Sequence, residues 1–163
     1  MQFFILFVSL FMMSGLVLGA SSDLPKRKSG LWEIRMSNPA VKGVQAMQQC
    51  IDEKTDDLMK NRTVKQSCSK NEMRREADKW VAESICQFDG STAKTRAVFT
   101  GKFDSAYKAD IKSAYEPPLR GMRESSAVIE AKWLGACKPG QSPGDILIPR
   151  MPNTNEMRKG APK

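Results

Sequence analysis

Four cysteines carry the first readable chemistry of the chain: Cys50, Cys68, Cys86 and Cys137. An even number in a small exported protein reads as a disulfide framework. Each bridge contributes roughly 2–4 kcal/mol, chiefly by restricting the unfolded chain. A four-cysteine zinc site is the competing chemistry, but the cysteines are widely spaced and no Cys-x-x-Cys pair exists to seed a metal. Three connectivities can be drawn. Cys68 and Cys86 are symmetric about Ala77, the middle of the polar stretch Glu76-Ala77-Asp78. A hairpin folding there sets the two sulfurs opposite each other. Cys68–Cys86 with Cys50–Cys137 is therefore favoured, and Cys50–Cys68 with Cys86–Cys137 is the runner-up.

Other chemistries are excluded by what is missing. The chain has no histidine, which removes histidine triads, histidine metal sites and the usual general base near neutral pH. Oxidised cysteines are not nucleophiles. Paired carboxylates could still hydrolyse sugars if they met in a cleft, but Glu33, Glu83, Asp110 and Glu130 all fall on outward positions of their strands. No glycine-rich phosphate loop or nucleophile elbow is present. No catalytic, cofactor or metal residue is assigned, and the chain is not expected to be an enzyme. The net charge of +8 reads first as a soluble basic surface, with attraction to anionic partners as the sharper alternative. The densest basic stretch, residues 60–75, holds six Lys/Arg against one acid. It has no interleaved aromatic residues, so a nucleic-acid platform is not expected.

The elements that must position these residues read as strands. Residues 1–20, MQFFILFVSLFMMSGLVLGA, are apolar and end in small residues, the pattern of a signal peptide cleaved near Ala20. An uncleaved anchor is the alternative; after cleavage no transmembrane span is expected. Residues 21–29 read as a linker, 30–137 as one β-rich stapled domain, and 138–163 as a basic Pro/Gly-rich tail. Within the domain, period-2 patterns dominate. Strands fall at about 30–37, 44–51, 68–76, 80–88, 94–103, 107–115 and 124–134, with a Pro-Pro loop at 117–118. Asp145 to Ile148 could add an edge strand. Acids at 52, 53, 56 and 57, followed by Lys60 and Arg62, predict one short helix near 52–61. The segment 68–76 is the exception to clean alternation. With a hairpin symmetric about Ala77, Lys70, Glu72 and Arg74 would share the face of Trp80 and Ala82, a costly burial. An edge strand or a shifted register relieves the conflict.

The fold class is therefore mainly β, an antiparallel meander of about seven strands. One short helix cannot cover such a sheet, so the sheet must curl into a partly open barrel or a strongly bent sheet. Large inward residues alternate with small ones, as a tapering interior requires. Trp32, Trp80, Tyr107, Tyr115 and Trp133 are the candidate ligand wall, should the interior hold a small molecule instead of being filled.

"SGLWEIRM" near the start of the domain, "MQQC", two middle cysteines and "WLGAC" at the end of the last strand form a spaced pattern. It resembles an uncharacterised bacterial periplasmic family, domain of unknown function 3617. The resemblance implies an exported, periplasmic, β-rich envelope protein with paired cysteines, and brings no activity, ligand or catalytic residue with it. The expected function is a non-enzymatic binding module for a small apolar or amphipathic ligand or an envelope partner. The alternative is an interaction protein with a filled core whose basic tail associates with anionic envelope surfaces.

Overall fold

The computed structural model describes residues 24–39, 41–59 and 67–148. The expected signal segment 1–20 and residues 149–163 of the tail lie outside the described residues. Period-2 alternation becomes one open antiparallel sheet, built from β1 (Gly30–Asn38), β2 (Val41–Ile51), β3 (Ser67–Glu76), β4 (Lys79–Phe88), β5 (Ser91–Lys102), β6 (Ala106–Leu119), β7 (Met122–Gly135) and β8 (Ile146–Leu147). The strand order is β3-β4-β5-β6-β7-β1-β2-β8, and β3 and β8 do not pair, so the sheet does not close into a barrel. β3 to β7 form a simple meander, while β1 docks beside β7 and carries β2 with it. The eighth strand is the short edge strand at Ile146–Leu147, paired with Gln48 and Gln49.

Turn chemistry fixes the hairpins. Asp89-Gly90 and Arg120-Gly121 both have positive φ and each joins strands paired through the flanking residues. Such two-residue turns match the twist of the strands they connect. The Pro-Pro segment at 117–118 is not a loop: β6 runs through it with an irregular register between Ala114 and Leu119. Gly30 is required for close approach. It sits at φ +132°, and a Cβ there would lie 2.6 Å from Trp133 Nε1 and closer still to the Gly135 carbonyl. Only glycine tolerates that backbone region.

One face of the sheet, called inner here, bears the core. Trp32, Ile34, Ile51, Met73, Phe99, Tyr107 and Ala109 are buried in one cluster, with Trp80, Phe103, Ile129 and Trp133 packed against it. Trp32 is wholly buried. No second layer of regular structure lies over this cluster among the described residues. The sheet's own curl covers it, together with the segment that leaves β2 and crosses towards β3, whose Leu58 and Met59 pack on the cluster.

That crossing segment corrects the expected helix near 52–61. Asp52–Met59 is irregular, with no helix; residues 60 and 61 lie outside the described residues. The acids that suggest a helix start are used locally instead. Asp52 Oδ1 accepts from the Lys54 and Thr55 amides and from the Thr55 hydroxyl, and Asp57 accepts from the Met59 amide. Side chains that bond nearby main chain in this way compete with helix propagation. Asp56 turns inward to meet Arg27.

The conflict at 68–76 is resolved by both reliefs at once. β3 is an edge strand, and its turn is the two residues Ala77 and Asp78, with Glu76 facing Lys79. That register places Glu72 opposite Glu83 and Arg74 opposite Val81, on the outer face, and brings Met73 inward opposite Ala82. A bulge between Cys68 and Lys70 then restores the pairing of Cys68 with Cys86. One extra residue reconciles an inward Met73 with a cross-strand disulfide.

Candidate functional site

The cysteines form Cys50–Cys137 and Cys68–Cys86. Cys68–Cys86 closes the edge hairpin. Cys50–Cys137 ties β2 to the segment after β7, and main-chain bonds add to it: Cys50 N donates to Asp145 O at 2.9 Å and Gly144 N donates to Cys50 O at 2.8 Å. The first part of the expected tail is thus built into the sheet edge.

Of the aromatic residues expected as a wall, Trp32, Tyr107, Trp80 and Trp133 come together in or against the core cluster, and Tyr115 does not join them. Trp32 and Tyr107 are buried core, with rings 5.7 Å apart. The Trp32 indole donates to the Lys28 carbonyl at 2.8 Å. Trp133 donates to the Ser29 carbonyl at 3.1 Å and lies under the Lys28 ammonium, 3.7 Å from its ring centroid. Trp80 packs at the margin of the same cluster. Tyr115 lies apart from them, its hydroxyl bonded to Ser125, and is among the residues lining the outer depression described below.

Sequence reasoning missed a polar cluster at the edge of this core. Arg27, placed in the expected linker 21–29, is buried with Asp56; their side chains are 4% and 1% exposed and 2.8 Å apart. The Arg27 amide also donates to Asp56 Oδ2 at 2.6 Å, and its guanidinium reaches Gln49 at 3.3 Å. Burial pushes the Tyr107 phenol above its ordinary value, and the Arg27 guanidinium draws it part of the way back. The basic triplet Lys26-Arg27-Lys28 gives no sign in the sequence that its middle member is buried.

The open feature of the domain lies on the other face. A depression of about 1040 Å³ spans the ends of β4 to β7. Its lining follows the register. One rung across the sheet is Glu83, Arg96, Lys112 and Ser126; another is Ile85, Lys94, Ala114 and Glu124. All eight side chains belong to the outer face. The rung between them, Ser84, Thr95, Ser113 and Ser125, points inward, so it offers main chain to the floor. On the inner side the Thr95 and Ser113 hydroxyls pair with each other and the Ser125 hydroxyl pairs with Tyr115. A second, smaller outer depression, about 460 Å³, lies near Arg35, Lys108 and Glu130.

Electrostatics divide the larger depression in two. On one side Glu83 is a hub, 2.8 Å from Lys70 Nζ and 3.1 Å from Arg74 Nη1, with Arg96 at 4.0 Å. Arg74 also meets Glu76 at 2.9 Å. The bonds from Arg74 and then Lys70 hold the Glu83 carboxyl down at about 2, and the same contacts raise both bases. On the other side Lys94 and Lys112 have no ion-pair partner among the described residues. This arrangement suits binding an anion.

Fold and site together define a small, doubly disulfide-bonded domain of one bent β-sheet, with a filled inner face and a charged, open outer face. The chain belongs to the family described as protein of unknown function DUF3617, which matches residues 27–137. The match begins at the buried arginine and ends at the last cysteine, the two points where the domain is pinned. Among curated proteins and among solved structures, nothing matches. No helix among the described residues is long and apolar enough to cross a membrane.

Proposed function

We propose that this protein is an exported, periplasmic, non-enzymatic binding module whose ligand or envelope partner docks on the outer face of the sheet. The observation that carries the reading is the 1040 Å³ outer depression, set against an inner face already occupied by the protein's own aromatic core. Two disulfides suit an oxidising compartment, and the apolar leader with its small-residue boundary supports export. The test is thermal shift of the mature protein across lipids, detergents and cell-wall fragments, with the exported N-terminus read by mass spectrometry. Ligand at a hundred times its Kd stabilises by about 2.7 kcal/mol, so a true ligand raises the Tm measurably. A flat response across the panel overturns the reading, and an N-terminus still at Met1 overturns cleavage near Ala20 in favour of the uncleaved anchor.

The filled core also favours a second reading, an interaction protein whose basic tail associates with anionic envelope surfaces. Its test is deletion of residues 149–163, which carry four Lys/Arg and one acid. That deletion abolishes salt-sensitive envelope association if the tail is the contact, and leaves fractionation unchanged if it is not.

A further inference from the structure

We infer that the outer depression binds a monomeric single-chain anionic amphiphile, an alkyl or acyl tail bearing a phosphate or carboxylate head. This rests on the binding-module reading above and names its ligand class. Cations and apolar groups meet in this one depression. Arg96 faces Lys112 directly across β5 and β6, and Lys94 faces Ala114 one step further along the same pair of strands. Three cations therefore share one patch, with neighbouring side chains roughly 5–7 Å apart. Like charges placed so are unfavourable by themselves, and a bound anion relieves them.

Of the three cations, the acids among the described residues reach only Arg96. Arg96 meets Glu76 at 3.6 Å and Glu83 at 4.0 Å, with Glu83 itself committed to Lys70 and Arg74, whereas Lys94 and Lys112 have no ion-pair partner among the described residues. Glu124 stands opposite Ala114 on the next strand and forms no ion pair among the described residues. Beside the cations lie Ile85, Ala114 and Met122, and Met122 is 44% exposed. A free phosphate uses only the cations and a neutral detergent only the apolar floor. A head joined to a tail uses both. At about 1040 Å³ the depression is large enough for a small molecule.

The experiment is isothermal calorimetry on the mature protein at pH 7 and low salt. Three probes are used: dodecyl phosphate below its micelle concentration, inorganic phosphate and dodecyl maltoside. Dodecyl phosphate is expected to bind at least tenfold more tightly than either of the others, and to weaken as salt is raised. The double variant Lys94→Gln/Lys112→Gln loses at least tenfold in affinity, while its Tm without ligand stays close to that of the parent. Glu124→Gln tightens binding. Equal binding of inorganic phosphate overturns the tail, and equal binding of dodecyl maltoside, unaffected by the double variant, overturns the head group. In either case the binding-module reading survives. No binding of the three probes, with a response elsewhere in the wider panel, overturns this inference alone. No response anywhere overturns the reading it rests on.

Discussion

Glu83 is the residue on which the outer face is balanced. Its carboxyl, held at about 2 by Arg74 and Lys70, titrates well below an ordinary glutamate. A depressed folded value means the unfolded state binds protons more readily. The contribution is complete above about pH 4.5 and is lost as the pH falls through the folded value near 2. Glu83→Gln is therefore expected to flatten the acid limb of a stability-versus-pH curve between those limits. Urea midpoints from pH 6 down to pH 2 check this, and a variant whose acid limb parallels the parent's counts against the hub. The outward direction of Glu83 is legible from alternation alone. Its partners are not, because Lys70 and Arg74 reach it only through the register of β3. Val81, on the same outer face and wholly buried, shows the same gap: alternation assigns a face but not the neighbours that cover it.

The crossing segment between β2 and β3 depends on the pair Arg27–Asp56. Removing one partner of a buried pair leaves a charge without compensation and costs about 3–5 kcal/mol, whereas replacing both by apolar groups is often tolerated. Asp56→Ala is expected to fall in that range, and Arg27→Met/Asp56→Leu to recover most of the loss. Denaturant titration of both variants checks it; equal losses would show that the segment needs the charges themselves. The strands were legible because each buries one face, so their alternation is written in every residue. The crossing segment was not. A run of acids suits a helix start and a set of local turns equally, and the partner that draws Asp56 inward, Arg27, lies outside the segment. The depression was hidden for a related reason. Its two rungs collect residues from four strands, and each of those residues alone looks like an ordinary solvated position.

For the molecule as a whole, the two disulfides hold opposite edges of the sheet and differ in reach. Cys68–Cys86 closes a separation of 18 residues and Cys50–Cys137 one of 87. Loop-closure entropy assigns about 3 kcal/mol to the first and about 4–5 kcal/mol to the second. Cys50→Ala/Cys137→Ala is thus expected to cost more than Cys68→Ala/Cys86→Ala, as measured by equilibrium unfolding of each pair variant. The reverse order would mean that the edge hairpin, not the long closure, limits stability. The pairing of β1 with β7 has a further consequence for the order in which the chain is made. The β1–β2 hairpin leaves the ribosome first, but its neighbour in the sheet is the last long strand to be synthesised. Until β7 arrives, the second edge of β1 has no strand to pair with. Joining that hairpin to the meander is a long-range closure, of the kind that slows folding. The nascent chain is most prone to aggregate during that wait.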